Sequence, residues 1–329
     1  MKTFVFICAI TVSLNGIAQS KTGSSTKTEE TAIVYIGSSE TSGSSDAVIV
    51  GEVALAHTRQ FLPLNDNGNI SQKDNLSKQV DQLFRNISRA LKPAGADIDK
   101  IVKLNVFLRR ADLISQVQPL ISRKFGQKRK PSITFAAGDL SHPEALIAMD
   151  AIAVSDLGSV KMVKLSGLRD SMGQAAVAIL PKGPVVYVSG QASKGELAEA
   201  TRNTLKQLEE TLISLGLNRK DIVQVKSFLS PMSSLNIVEK EFIEFFNGEK
   251  IPPLVFVDWI STDPVIEIEL IAFSPLTKGK VEQVDYITPM GMTSSPVYSK
   301  VSRLNYGKKV YLSGIYGLSS VNTDSVVNK

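Results

Sequence analysis

The amino-acid sequence repeats itself at a distance of 121 residues. Gly95, Ile101, Val102, Phe107, Leu108, Phe125, Pro131 and Phe135 recur, without a gap, as Gly216, Ile222, Val223, Phe228, Leu229, Phe246, Pro252 and Phe256. Landmarks held at one offset over that length mark a duplicated segment. The period is too long for a solenoid unit and suits a small domain. The chain is therefore a tandem array, and each repeat helps to interpret the other. A third copy begins later. Gly307, Val310, Tyr311, Ser313 and Gly314 match Gly183, Val186, Tyr187, Ser189 and Gly190 at an offset of 124. Its helices do not appear before Lys329, so either the sequence continues or half a domain serves as an added hairpin. A lone hairpin is marginal in water and has to pack on something.

Within each repeat the pattern predicts strands, helix, strand, helix, strand, strand. In repeat one, 32–36 and 48–56 read as strands, the second as a strand or hairpin interrupted at Gly51. Leu76, Val80, Leu83, Ile87 and Leu91 share one helical face, and Pro93 and Gly95 end that helix. A strand at 101–108 follows, then a helical face of Leu113, Val117, Ile121 and Phe125, then strands at 132–137 and 145–154. Repeat two has strands at 162–165, 175–180 and 185–189. Ser193 and Glu196 stand at capping-box spacing before a helix lined by Leu205, Leu208, Leu212 and Leu215. Gly216 suits the C′ position, where positive φ is needed. A strand at 222–229, a helical face of Leu235, Val238, Phe242 and Phe245, and strands at 254–259 and 265–273 complete it. The repeats are bounded as 31–157, 158–278 and, for the partial third copy, 279–329.

The N-terminus reads as a targeting segment. Met1-Lys2 is positive, 4–17 is mostly apolar, and small residues precede Ala18-Gln19. This predicts a signal peptide over 1–19, a polar leader over 20–30, and a secreted or periplasmic protein with no membrane attachment after processing. Cys8, the only cysteine, lies inside it, so the mature chain is expected to have no disulfide and no thiolate nucleophile. His57 and His142 lie near no evident carboxylate cluster, so no metal site is expected. Arg123, Lys124, Lys128, Arg129 and Lys130 form a basic run without interleaved aromatics. It reads as a solvated helix end rather than a nucleic-acid surface.

Three motifs carry a resemblance: Val-Tyr-Val-Ser-Gly-Gln at 186–191, Asp-Ile-Val-x-Val-x-x-Phe-Leu at 221–229, and Glu-Ile-Glu-x-Ile-Ala at 267–272. Together they resemble the Rid family, also called YjgF or L-PSP, the reactive intermediate deaminases. The resemblance covers about 31–154 and 160–273 and the start of the third copy, and is weaker in repeat one. There, residues 57–60 (His-Thr-Arg-Gln) stand where Ser-Gly-Gln belongs, and Ala148 where the first Glu belongs. It implies an α+β fold like the trimeric type of chorismate mutase, a mixed sheet with two helices on one face. It also implies association between repeats or chains, with clefts between neighbours. The implied reaction is cofactor-free hydrolysis of 2-imino or 2-enamino acids to 2-keto acids and ammonia.

That chemistry needs a guanidinium to clamp a carboxylate in two-point geometry, and groups that position water. The resemblance puts a water-positioning or catalytic carboxylate at Glu267. It puts substrate-binding positions at Ser189, Gly190, Gln191, Tyr298, Ser313 and Gly314, with Met172 near the tyrosine position of repeat two. The family's arginine position is Ile133 in repeat one and Leu254 in repeat two. The family's helical asparagine is Gln118 and Glu239. Two functions stay open. One is an enzyme acting on a small imine, enamine or related substrate in a remodelled cleft. The other is a catalytically silent protein that binds a small ligand or serves as a scaffold. Each retained residue also has a plainer reading, since Ser-Gly is a common turn and Glu267 alternates with Ile266 and Ile268 as solvated strand residues do.

Overall fold

The structure is a computed structural model that describes residues 33–40, 42–127, 129–159, 161–165, 172–275 and 281–315. The expected signal peptide and leader lie outside them. Repeat one begins with β1 (Ile33–Ile36), β2 (Ala47–Val50) and β3 (Ala54–Thr58). It continues with α1 (Leu76–Leu91), β4 (Ile101–Leu108), α2 (Ile114–Ser122), β5 (Ser132–Ala137) and β6 (Ile147–Ser155). Repeat two supplies β7 (Lys161–Val163), β8 (Val177–Leu180), β9 (Val185–Gln191), α3 (Leu197–Ser214), β10 (Ile222–Leu229), α4 (Leu235–Phe246), β11 (Leu254–Asp258) and β12 (Ile266–Phe273). The third copy adds β13 (Val284–Ile287), β14 (Val301–Leu304) and β15 (Lys309–Leu312).

The helices form for the reasons their spacing implies. Asn75 caps α1 by accepting the Lys78 N–H, and Val80, Leu83, Ile87 and Leu91 are buried on one face. Gly95, after the 3-10 turn that follows α1, and Gly216, after α3, stop the helical path at φ 68° and 75°, a left-handed conformation costly for other residues. The capping box expected at Ser193 does not form. Glu196 is the N-cap without a side-chain bond, and the Ser193 N–H bonds to Thr204 Oγ1. Gly195, at φ 119°, breaks the helical path between them.

Two six-stranded mixed sheets run β5-β4-β6-β3-β8-β7 and β11-β10-β12-β9-β14-β13. In each, the pair at one edge is parallel, β4–β5 and β10–β11, and the other pairs are antiparallel. Helices α1 and α2 cover sheet one, with Val80, Leu83, Ile87, Val117 and Ile121 meeting Leu104, Val106 and Phe135. Helices α3 and α4 cover sheet two in the same way, with Phe242 against Phe256 at 6.2 Å between ring centroids. A third sheet, β1-β2-β15, has three strands among the described residues.

The strand pairing departs from the sequence reading at one kind of place. The hairpin expected around Gly51 does not close. Strand β3 pairs with β8 of the next repeat, β9 pairs with β14 of the third copy, and β15 returns to pair with β2. The Val53 N–H bonds to the Gly51 carbonyl at 2.9 Å, a tight turn that redirects the chain into a different sheet. The exchange repeats with near symmetry. Arg59 N–H to Ala176 C=O, Ser189 N–H to Lys300 C=O, and Ser313 N–H to Asp46 C=O are equivalent bonds of 3.0, 3.0 and 2.9 Å. Leu55, Val102, Leu180, Val185, Val223 and Leu304 make a shared apolar cluster where the copies meet.

Beside that cluster lies a buried polar group. Asn105 Nδ2 donates to Asp150 Oδ2 at 2.9 Å, and Lys226 Nζ pairs with Glu269 Oε1 at 3.2 Å. These are the same cross-strand position in the two repeats, neutral–acid in one and base–acid in the other. Burial pushes the Asp150 carboxyl up to about 6, against the pull of Lys226, Asn105 and Lys103. Burial would lower the Lys226 amine, but Glu269 and Asp150 hold it above its usual range. Lys103 is pushed down to about 7 by burial and by Lys226, and its Nζ donates to Thr134 Oγ1 and to the Leu312 carbonyl, both at 2.6 Å. Burial, with Lys309 and Lys226 nearby, pushes His57 down to about 4. The Gln224 amide beside the ring opposes that shift, but it is turned to the Thr58 carbonyl at 2.7 Å, and neither ring nitrogen makes a well-formed hydrogen bond.

Candidate functional site

A cleft of about 690 Å³ opens between repeats one and two. One wall comes from the end of β3, with Arg59 and Gln60, and from Gln174 just before the exchanged strand β8. The other comes from β11 and α4, with Leu254, Phe256 and Glu239. Two glutamines join the walls. The Gln60 N–H donates to the Leu254 carbonyl and its Nε2 to the Phe256 carbonyl, both at 2.9 Å. The Leu254 N–H donates to Gln174 Oε1 at 3.0 Å. The backbone of β11 is thereby held by Gln60 of repeat one and by Gln174, in the segment that leads into β8 of sheet one. Arg109, at the cleft wall, donates to the Ala145 and His142 carbonyls at 2.9 and 2.7 Å and lies 3.5 Å from Asp139.

Strand register identifies what stands at each position. Leu254 pairs with Val225 as Ile133 pairs with Leu104, so both occupy one place in their sheets, and both are buried. Ala148 faces Phe107 as Glu267 faces Phe228. Arg59, Gln60 and Phe61 stand where repeat two has Ser189, Gly190 and Gln191. The Arg59 guanidinium lies 5.2 Å above the Phe61 ring. The tyrosine position of repeat two is Gln174 rather than Met172. The bond from Arg59 to Ala176 is the counterpart of that from Ser189 to Lys300, which aligns Gln174 with Tyr298. The two-walled cleft is therefore lined by Leu254, Arg59-Gln60 and Gln174 in place of Arg, Ser-Gly and Tyr, and Ala148, in place of Glu, is buried in the apolar cluster of Leu140 and Val255.

A different wall gathers most of the expected residues. The Ser189 N–H and hydroxyl both donate to the Lys300 carbonyl, at 3.0 and 2.9 Å. Gly190 is bare where a Cβ would stand 2.1 Å from Glu267 Oε1, so only glycine lets that carboxylate lie against the backbone. Burial and the neighbouring Glu269 raise the Glu267 carboxyl above its usual range, opposed by Lys300. Lys300 Nζ in turn donates to the Tyr298 hydroxyl at 2.7 Å and lies 4.6 Å over its ring. Lys300 is thus bonded to Tyr298, just before β14, and acts on Glu267 through its charge. Gln191 turns away, donating to Thr211 Oγ1 on α3 at 2.8 Å. Ser313 and Gly314 go elsewhere too. The Ile133 N–H donates to Ser313 Oγ at 2.8 Å, and the Gly314 N–H to the Ile133 carbonyl at 2.9 Å. Lys130, expected on a solvated helix end, is buried, with Nζ donating to Ser122 Oγ at 2.9 Å. It closes the end of α2, two residues before β5 enters the sheet.

The arrangement defines a class: tandem α+β repeats whose clefts are built from strand ends of successive copies. A family profile described as Endoribonuclease L-PSP matches residues 45–155 and 174–274, well over half of the chain. The chain belongs to that family, the Rid or YjgF family, with two tandem copies. It is similar to a RutC family protein of Pyrococcus horikoshii, 29% identical over 92 residues, which cover 27% of this chain and 72% of that protein. A RutC family protein of Pyrococcus abyssi is 27% identical over the same shares. Among solved structures, a Rid-family protein of unknown function from Yersinia pestis is 23% identical, with 34% of this chain and 86% of that chain covered and a TM-score of 0.32. A YjgF-family protein from Neisseria meningitidis is 19% identical, with 38% and 97% covered and a TM-score of 0.28.

Proposed function

We propose that this protein binds a small molecule in the cleft between repeats one and two and does not carry out the family's hydrolysis there. The observation that carries this reading is the replacement of both charged partners at that cleft, Leu254, which lines it, for the arginine, and Ala148, buried in the apolar cluster that includes the lining residue Leu140, for the glutamate. Phe61, Leu140, Met232 and Phe256 line an apolar middle, and Arg59 and Glu239 add polar groups. Such a surface suits a ligand with an apolar body and polar ends. An exported location, from the charge and apolar run of the N-terminus, accords with binding better than with scavenging of short-lived imino acids made by cytoplasmic enzymes.

A second reading rests on Glu267, Gly190, Ser189 and Tyr298, which keep one catalytic wall in the family's terms. A coupled keto-acid assay on 2-iminobutanoate separates the two. Loss of a two-point carboxylate clamp costs about 2–5 kcal/mol in comparable truncations, or roughly thirty-fold to several-thousand-fold in rate. The expected result is no acceleration by the wild-type protein and none by Glu267→Gln. Turnover in the wild type that disappears in Glu267→Gln would establish the enzymatic reading instead. Leu254→Arg alone is expected to stay silent, because Ala148 leaves its cleft without the carboxylate.

A further inference from the structure

Between its two walls the cleft is also lined by the loop 138–146 that joins β5 to β6, which contributes Asp139, Leu140, Ser141 and Pro143. The base of this loop is fastened to its own repeat. The Gly138 N–H bonds to the Leu108 carbonyl at 2.9 Å and the Arg109 N–H to the Leu146 carbonyl at 3.0 Å. The Arg109 guanidinium holds the Ala145 and His142 carbonyls. Gln79 of α1 takes the Leu146 N–H at 2.8 Å and donates to the Glu144 carbonyl at 3.2 Å.

The tip of the loop is held by repeat two. The Asp139 N–H donates to Asp258 Oδ2, at the end of β11, at 3.0 Å. A Cβ on Gly138 would stand 2.8 Å from the same oxygen and 2.9 Å from the Asp258 Cβ, so glycine is needed there for the close approach of the two chains. Leu140 is buried in one apolar cluster with Val255 of β11. Alternation puts Leu254 and Phe256 on the other face of β11, where they line the cleft. The loop therefore meets β11 twice, through an apolar contact at Leu140 and a polar clasp at Asp258. The clasp is not a general feature of the repeat. Ala137 pairs with Leu108 as Asp258 pairs with Leu229, and the Trp259 N–H bonds to the Leu229 carbonyl as Gly138 does to Leu108. At those two equivalent positions repeat one has no carboxylate and repeat two has no glycine.

We propose that Asp258 is a positioning residue of the cleft between repeats one and two: by clasping Gly138 and Asp139 it fixes the loop against β11 and sets the width left for a ligand's apolar body between Leu140 and Phe256. A loop fixed in advance loses less freedom when a ligand arrives, so the clasp raises affinity and selects by the size of that body. The proposal rests on the reading of this cleft as a small-molecule site, and the test separates the two.

The test uses the full chain with two readouts, hydrogen exchange at the Asp139 amide and binding of the dye anilinonaphthalene sulfonate, which has an apolar body and one charged end. Trp259, the only tryptophan, stands beside the clasp, and energy transfer from it reports dye bound nearby. Asp258→Ala is expected to speed exchange at Asp139 about fivefold and to weaken dye binding by a similar factor, the size of one hydrogen bond to solvent-exposed groups. Asp258→Asn keeps an acceptor oxygen and is expected to stay near wild type in both. Gly138→Ala is expected to reproduce Asp258→Ala, and the double variant to be no worse than either, because both break one contact. Exchange in α1 and β4 is expected to stay unchanged throughout, which a general loss of structure would not allow. Unchanged Asp139 exchange and dye affinity in Asp258→Ala, or additive losses in the double variant, would overturn the clasp with the cleft's role intact. Leu254→Arg is expected to abolish the dye signal and leave Asp139 exchange as in wild type. Dye binding that survives it, or a wild-type protein that binds no dye, would overturn the reading of the cleft itself.

Discussion

Replacing Lys226 by alanine is expected to cost about 3 kcal/mol of folding stability at neutral pH, the low end of the range for removing one partner of a buried ion pair. Lys226 is the cation that Glu269 and Asp150 share at the junction of the copies. Its removal leaves a fully buried carboxyl with only Lys103 as a nearby cation and a partly exposed one without its partner. The lower figure is chosen because the Glu269 side chain is 31% exposed and water can take over part of the screening. Lys226→Met combined with Asp150→Asn and Glu269→Gln is expected to recover most of the loss, since no charge is then left buried. Urea midpoints of the three proteins would measure this. A loss under about 1 kcal/mol in Lys226→Ala would show that the pair is solvated rather than buried.

Two groups in the same cluster are expected to cancel each other's pH dependence, and single substitutions should expose each of them. The Asp150 carboxyl is raised from 3.8 to about 6 in the folded protein. Its contribution to stability is full below about 4 and is lost as pH rises through about 6. The His57 ring is lowered from 6.5 to about 4. Its contribution is full above about 6.5 and is lost as pH falls through about 4. Each shift corresponds to about 3 kcal/mol at 1.36 kcal/mol per pH unit. In Asp150→Asn, stability relative to wild type should therefore fall by about that amount between pH 6.5 and 4. In His57→Gln it should rise over the same window. Exposed carboxylates contribute equally to all three proteins and drop out of the differences. Parallel stability curves for wild type and both variants would contradict the buried placement of the two groups.

The duplicated offset made most of the local structure readable. It placed the helical faces of Val80, Leu83 and Ile87 and of Leu205, Leu208 and Leu212. It also aligned Ile133 with Leu254, and the family motif pointed to Ala148 as the counterpart of Glu267. Those features depend on residues close in sequence, or on a register that a gapless repeat preserves. The exchange of β3, β9 and β2 with strands of other copies was not readable. Val177 to Leu180 is an unbroken buried run, and a run apolar on both faces is compatible with several partners. The bridging bonds of Gln60 and Gln174 were not readable, because a glutamine in a loop is ordinary until a carbonyl or N–H from a distant segment faces it. The only available signal was the 124-residue offset, which puts Gln174 under Tyr298. The failed capping box at Ser193 had a local cause, the glycine between cap and helix.

The strand exchange places the cleft, the Glu267 wall and the third sheet, so it is the claim to test most directly. With Cys8 replaced by serine, the pair Ala56→Cys and Ile179→Cys puts thiols on facing residues of β3 and β8. Directly opposed antiparallel residues lie within disulfide reach. A second pair, Ile179→Cys and Val186→Cys, faces across a local hairpin of β8 and β9, which the fold does not contain. The account predicts that the first pair oxidises readily to a bond that raises the unfolding midpoint, while the second stays reduced. Ready oxidation of 179 with 186, and not of 56 with 179, would contradict it.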